Sequence, residues 1–131
     1  MMAPEVRALL ERGRTELAAA RVLADQRFAA QAVAHAYYAA FFAAESALLA
    51  LGETRSKHSG VISAFGQLVV KTGGAVAETG PILRKLFELR NEAMYDTTKV
   101  QDDRASTAIA DAERFLAAVD RWLTEHASGR R

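Results

Sequence analysis

The sequence predicts an all-α fold, an up-and-down bundle of four or five helices. Apolar side chains recur at helical spacings of three and four along most of the chain. No window alternates polar and apolar residues between turn signals, as a β-strand would. The helical segments are joined by short polar or glycine-containing loops, which place consecutive helices side by side.

The most apolar stretch, residues 28–51, predicts the central helix of this bundle. One of its stripes carries large side chains and a second is almost entirely alanine. A third is apolar in bulk but carries polar atoms, and its members are Gln31, His35, Tyr38, Phe42, Glu45 and Leu49. A helix that is apolar nearly all round is buried among partners. We therefore expect other helices around it, with one face left for a second chain or a site.

The segments on either side carry recognisable helix ends. An amphipathic helix runs from Pro4 to about residues 25–27. Gly52 is expected to end the central helix, and Ser59 to cap the third. Gly66 either weakens that third helix or marks close packing against the alanine stripe.

The second half of the chain predicts two further helices. Residues 73–74 end the third helix, and the small residues that follow are expected to form a mobile linker. The fourth helix begins at residues 80–81 and the last spans about residues 102–126. We expect residues 1–127 to form a single domain and residues 128–131 a disordered tail.

Composition limits the classes of function. The chain has 131 residues and a net charge of +1, so no strong general attraction to nucleic acid or anionic lipid is expected. It has no cysteine, which excludes disulfides and thiolate metal sites. The three histidines have no partner four residues away, so no metal site is predicted, and no cofactor.

The location expected from the sequence is the cytoplasm, without membrane attachment. The N-terminus has no apolar core of the signal-peptide type. His35, Glu45 and Ser46 interrupt the central helix, and alanine is too weakly hydrophobic to drive insertion.

Arg90 is the main candidate functional residue, because it lies on a helix seam otherwise formed by Leu83, Phe87 and Met94. Such an arginine usually snorkels or pairs with a carboxylate, and the candidate partners are Glu45, Glu92 and Asp96. The alternative is a guanidinium held for a phosphate, which its planar fork suits.

Two other places carry polar groups. Lys57 and His58 precede a helix N-terminus, where they form either a solvated loop or an anion site. Tyr95 and Asp96 close the helix that carries Arg90. The aromatic pairs at residues 37–38 and 41–42 favour core or dimer packing over base stacking.

Four segments together resemble a known family: AYYAAFFAAESALL, KHSGVISAF, VKTG and LFELRNEAMYD. They are similar to small prokaryotic HEPN domains. The resemblance implies a helical bundle of four or five helices that usually forms a homodimer. Many members belong to two-gene toxin–antitoxin modules, beside a minimal nucleotidyltransferase partner.

Catalytic HEPN proteins are metal-independent ribonucleases with an arginine, a polar residue and then a histidine. Arg90 and Asn91 match the first two positions, but the positions for the histidine hold Tyr95, Asp96 and Thr97. A tyrosine with a pKa of about 10 is a poor base at pH 7.

The resemblance therefore favours a homodimer that binds a nucleotidyltransferase or a nucleotide-like ligand without cleaving RNA. Arg90, Asn91, Tyr95 and Asp96 would line its groove, and Tyr95 could be a modification target. One alternative is an RNA endonuclease toxin that uses Arg90 with Tyr95 or His58. Another is a helical interaction module without chemistry.

Overall fold

The computed structural model describes residues 2–95 and 99–129, with side chains up to residue 126. This part of the chain contains six α-helices and no strand, which confirms the all-α prediction. The helices are α1 (Pro4–Asp25), α2 (Ala29–Ala50), α3 (His58–Leu68), α4 (Ala75–Thr79), α5 (Pro81–Tyr95) and α6 (Asp102–Gly129), with a 3₁₀ turn at Val70–Thr72.

Helix α2 is the centre of the bundle, as its composition predicts. It contacts α1, α3, α5 and α6, and its alanine stripe is buried except at its last residue, Ala50. The small side chains let α1 come close, so that a Cβ built on Gly13 would lie 2.8 Å from the carbonyl oxygen of Ala39. Buried apolar side chains from Val6 to Leu123 form one connected core around this contact.

By length and composition, α2 is also apolar enough to cross a membrane, alone among the described helices. Of its most apolar window, 67% is buried inside the bundle, as expected of a core helix. Its third stripe is the exception, because Tyr38, Phe42, Glu45 and Leu49 are only half-buried. This stripe is the face of α2 that was expected to remain available for a second chain or a site.

The prediction of a mobile linker after the third helix is wrong, because that segment contains helix α4. Gly73 and Gly74 make the turn before it with φ values of +86° and +73°, which favour glycine. Val76 then buries its side chain in the core, and the Thr79 hydroxyl donates to the carbonyl oxygen of Ala75. Helix α4 packs against α6, and the burial of Val76 helps to order a segment that is otherwise rich in small residues.

One predicted helix detail is wrong, and one of the two alternatives for Gly66 is excluded. Helix α3 begins at His58 with Lys57 at the N-cap, so Ser59 lies within the first turn and does not cap it. Gly66 is exposed and nothing lies within 4 Å of a Cβ built there, so it marks no close packing. The close approach is made by Gly13 instead.

Helix α3 ends at Leu68 and a 3₁₀ turn continues to Thr72, so the helix is shorter than the predicted end at residues 73–74. The other predicted helix ends are close to those observed. Gly52 has a φ of +77°, consistent with its expected place at the end of α2. Helix α6 extends to Gly129, three residues beyond the predicted end, and Arg130 and Arg131 lie outside the described residues.

Candidate functional site

Three helices bring polar and aromatic side chains together at one place. Tyr37 comes from the large-side-chain stripe of α2, and His58 is the first residue of α3. Phe87 and Arg90 come from successive turns of α5. We call Tyr37, His58, Phe87 and Arg90 the polar cluster.

Tyr37 lies at the bottom of the polar cluster, with 0% of its surface exposed. Its hydroxyl oxygen is 2.6 Å from Nδ1 of His58. Burial raises the pKa of Tyr37 far above its usual range, although the positive charge of Arg90 opposes that rise. The phenol is therefore neutral and keeps its proton at any physiological pH.

His58 is held between aromatic rings. Its ring is stacked on Phe41 with centroids 4.4 Å apart, and it also lies nearly parallel to Phe87 at 6.2 Å. Burial lowers the pKa of His58, and the nearby positive charge of Arg90 lowers it further. His58 is therefore mainly neutral at pH 7.

Arg90 lies over three aromatic rings. Its Cζ is 5.3 Å from the centroid of Tyr37, 5.6 Å from that of Phe87 and 5.9 Å from that of Tyr38. Such contacts stabilise the guanidinium through the ring quadrupoles without neutralising its charge. Its Nε is buried and has no hydrogen-bond partner in the described part of the chain.

Two of the three carboxylates expected to pair with Arg90 lie within the described residues. Neither Glu45 nor Glu92 forms an ion pair with Arg90. Asp96, the third candidate partner, lies outside the described residues. Burial raises the pKa of Glu45, and none of the ion pairs among the described residues involves its carboxylate.

The half-exposed stripe of α2 borders the polar cluster. Tyr38 packs edge-on against His35, and the Nδ1 of His35 is 2.7 Å from a carboxylate oxygen of Glu16. Further along, the guanidinium of Arg12 lies 4.7 Å from the ring centroid of Phe42. The border of the cluster is thus aromatic and carries charge of both signs.

The structure brings together only some of the predicted site residues. His58 and Arg90 meet through Tyr37 and Phe87, a juxtaposition that the sequence did not show. Lys57 is exposed beside His58, and Asn91 is half-buried next to Arg90 in the chain. Asp96 lies outside the described residues.

Tyr95 is separate from the polar cluster. It is 80% exposed at the end of α5, and none of the hydrogen bonds or ring contacts of the polar cluster involves it. Its phenol is therefore open to another molecule.

Tyr37 was not a predicted site residue, because its aromatic pair with Tyr38 indicated only packing. The available signal was its position on a fully apolar stripe, because a buried tyrosine hydroxyl requires a hydrogen-bond partner. No group of three potential metal ligands occurs within the described ranges.

An all-α bundle with an arginine and a histidine beside one buried tyrosine defines a small helical protein with a candidate anion site. Its family follows from comparison, since the model of the HEPN domain matches residues 6–122. The chain belongs to the HEPN domain family.

The relatives that it resembles cover nearly the whole chain. It is 36% identical to a Methanocaldococcus jannaschii protein named "Putative toxin MJ0605", over 92% of this chain and 90% of the relative. A second protein of that organism, "Putative toxin MJ0142", is 27% identical over 91% and 82%. A Thermotoga maritima protein named "UPF0332 protein" is 34% identical over 87% of each chain.

Proposed function

We propose that this chain is the toxin-type member of a two-gene toxin–antitoxin module in the cytoplasm. In this proposal, Arg90 and His58 form one site for a phosphate group of a nucleotide-like ligand or of RNA. The observation that carries it is the position of both residues against the same buried ring, Tyr37. Two similar proteins that bear the word toxin in their names support the module.

The chemistry of the site favours an anion. A guanidinium offers several N–H donors in a planar fork and no acceptor, which matches the acceptor-only oxygens of a phosphate. Three aromatic rings hold the guanidinium of Arg90 in place. Lys57 and the N-terminus of α3 add positive charge beside His58.

In this proposal the second copy of the chain and the nucleotidyltransferase bind to different surfaces. The half-exposed stripe of α2, with Tyr38, Phe42 and Leu49, would form the homodimer interface. Tyr95 would face a nucleotidyltransferase, which could modify its accessible hydroxyl. Its 80% exposure supports that role.

A second candidate function is metal-independent RNA cleavage. The observation in its favour is that a neutral histidine, His58, shares its aromatic neighbours with Arg90. The site thus contains an imidazole although residues 95–97 do not supply one. Proton transfer at the ribose 2′-hydroxyl needs a group of this kind.

The experiment compares wild type, Arg90→Ala and Arg84→Ala, all purified without metal. Arg84 is the matched control, because it is an exposed arginine on the same helix. Binding of adenosine 5′-monophosphate and cleavage of single-stranded RNA are both measured. We expect Arg90→Ala to weaken nucleotide binding by about tenfold or more, since hydrogen bonds to charged groups contribute about 1.5–3 kcal/mol.

The outcomes separate the candidate functions. Cleavage that is lost with Arg90 and kept in the Arg84 variant would establish the endonuclease. Nucleotide binding without cleavage would support the binding function. Equal behaviour of all three proteins in both assays would leave only a helical interaction module, in which Arg90 matters for stability alone.

A further inference from the structure

A hydrogen bond joins Tyr37 and His58, and the identity of its donor decides whether Nε2 of His58 can accept a proton. The oxygen of Tyr37 and Nδ1 of His58 are 2.6 Å apart, so one of them donates to the other. If the imidazole donates, its Nε2 keeps a lone pair and can accept a proton. If the phenol donates, Nε2 carries the hydrogen and can only donate.

The surroundings favour the phenol as the donor. Tyr37 is fully buried and stays protonated, so it has a hydrogen to give. The guanidinium of Arg90 lies over the ring of the same tyrosine, with its Cζ 5.3 Å from the ring centroid. A guanidinium cannot accept, and within the described residues the hydroxyl of Tyr37 has Nδ1 of His58 as its hydrogen-bond partner, so the buried phenol hydrogen is directed to His58.

We propose that Tyr37 is a positioning residue that holds His58 as the Nε2–H tautomer. Nδ1 is occupied by the phenol, so Nε2 is the nitrogen left for a ligand. Arg90 and His58 then both present N–H donors, a pair that suits an acceptor-only group such as a phosphate.

This assignment rests on the proposed anion site and deepens it. An imidazole whose Nε2 carries hydrogen cannot take a proton from a ribose hydroxyl at that nitrogen. The tautomer therefore makes His58 a phosphate-binding donor, and places binding ahead of cleavage as the role of the site.

The charged groups around His58 do not obscure the measurement. Arg90 faces it from α5 and is positively charged throughout the accessible pH range. Tyr37 faces it from α2, with Glu45 two turns further along the same helix, and Lys57 is its neighbour in the chain. At pH 7.5 we expect the imidazole to be neutral, so that only its tautomer is measured.

Long-range ¹H–¹⁵N spectra of the labelled protein report which ring nitrogen carries the hydrogen. The spectrum of His58→Gln identifies the signals of His58 among those of the three histidines. In wild type we expect His58 to be predominantly the Nε2–H tautomer. In Tyr37→Phe we expect a mixture of the two tautomers and a pKa of His58 that changes from the wild-type value.

Tyr38→Phe is the matched control, because it removes a neighbouring phenol and leaves the bond between Tyr37 and His58 intact. It should keep the wild-type tautomer. A predominantly Nδ1–H tautomer in wild type would overturn the proposal, and this result does not depend on whether Tyr37→Phe folds. An unchanged tautomer in a folded Tyr37→Phe would overturn it equally.

Titration with adenosine 5′-monophosphate separates this inference from the proposed function. Binding to wild type should shift the His58 Nε2 signal, and Tyr37→Phe should bind several-fold more weakly. If wild type shows the Nε2–H tautomer but the nucleotide does not bind, the positioning role of Tyr37 holds and the proposed anion site fails.

Discussion

The ring of His58 lies stacked on the ring of Phe41, with centroids 4.4 Å apart and planes inclined by 23°. His58 is the first residue of α3 and Phe41 lies in the middle of α2, so this contact joins the start of one helix to the central helix. It holds the imidazole beside Tyr37 and close to Arg90. The geometry of the polar cluster thus depends on packing between helices.

The first prediction concerns acid stability. Because the pKa of His58 is lowered in the folded protein, the unfolded chain takes up a proton first as the pH falls below about 6.5. The free energy of unfolding should therefore fall in that range, until the folded protein is protonated as well. Urea unfolding of wild type and His58→Gln from pH 8 to pH 5 measures this contribution, and equal slopes in both proteins would contradict it.

The second prediction concerns alkaline stability. Burial raises the pKa of Tyr37, so above a pH of about 10 the unfolded chain ionises this phenol while the folded protein does not. Stability should fall as the pH rises through that point, and Tyr37→Phe should lose less than wild type does. Tyr38→Phe retains the Tyr37 hydroxyl and should behave like wild type. Denaturant unfolding at pH 9 and pH 11 provides the comparison.

The third prediction concerns Glu45, whose pKa is raised by burial. Its ionised form is disfavoured in the folded protein at neutral pH, so Glu45→Gln should stabilise the protein there. The gain in the free energy of unfolding should be smaller than about 1 kcal/mol, because the side chain is partly solvated and screened. It should shrink at a pH below about 4.5, where the carboxyl is protonated in both states. Thermal melts of both proteins at the two pH values measure the gain. A gain in stability that does not change with pH would contradict burial of the ionised carboxylate as its cause.

The fourth prediction compares two glycines within helices. A Cβ on Gly13 would lie 2.8 Å from the backbone oxygen of Ala39, so Gly13→Ala should destabilise the protein by about 1–3 kcal/mol through overpacking. A Cβ on Gly66 would meet nothing within 4 Å, so Gly66→Ala should stabilise α3 by about 0.5–1 kcal/mol. Urea unfolding of the two variants should give shifts of opposite sign. Stabilisation of both variants would show that helix propensity alone governs these positions.

The sequence by itself determined the class of fold and most helix boundaries. Spacings of three and four predict the stripes of α2, Pro4 and Pro81 predict the starts of α1 and α5, and Gly52 predicts the end of α2. These signals are local, because each depends on residues within a few turns of the same helix. The four quoted segments likewise sufficed to indicate the family.

Only the tertiary structure decided the composition of the polar cluster. Tyr37, His58 and Arg90 lie on three different helices, and no spacing along the chain shows which faces of those helices meet. Helix α4 is stabilised by burial of Val76, and the close approach of α1 to α2 occurs at Gly13 although Gly66 was the candidate. In each case the deciding contact joins residues far apart in sequence, and helical periodicity contains no information about such pairs.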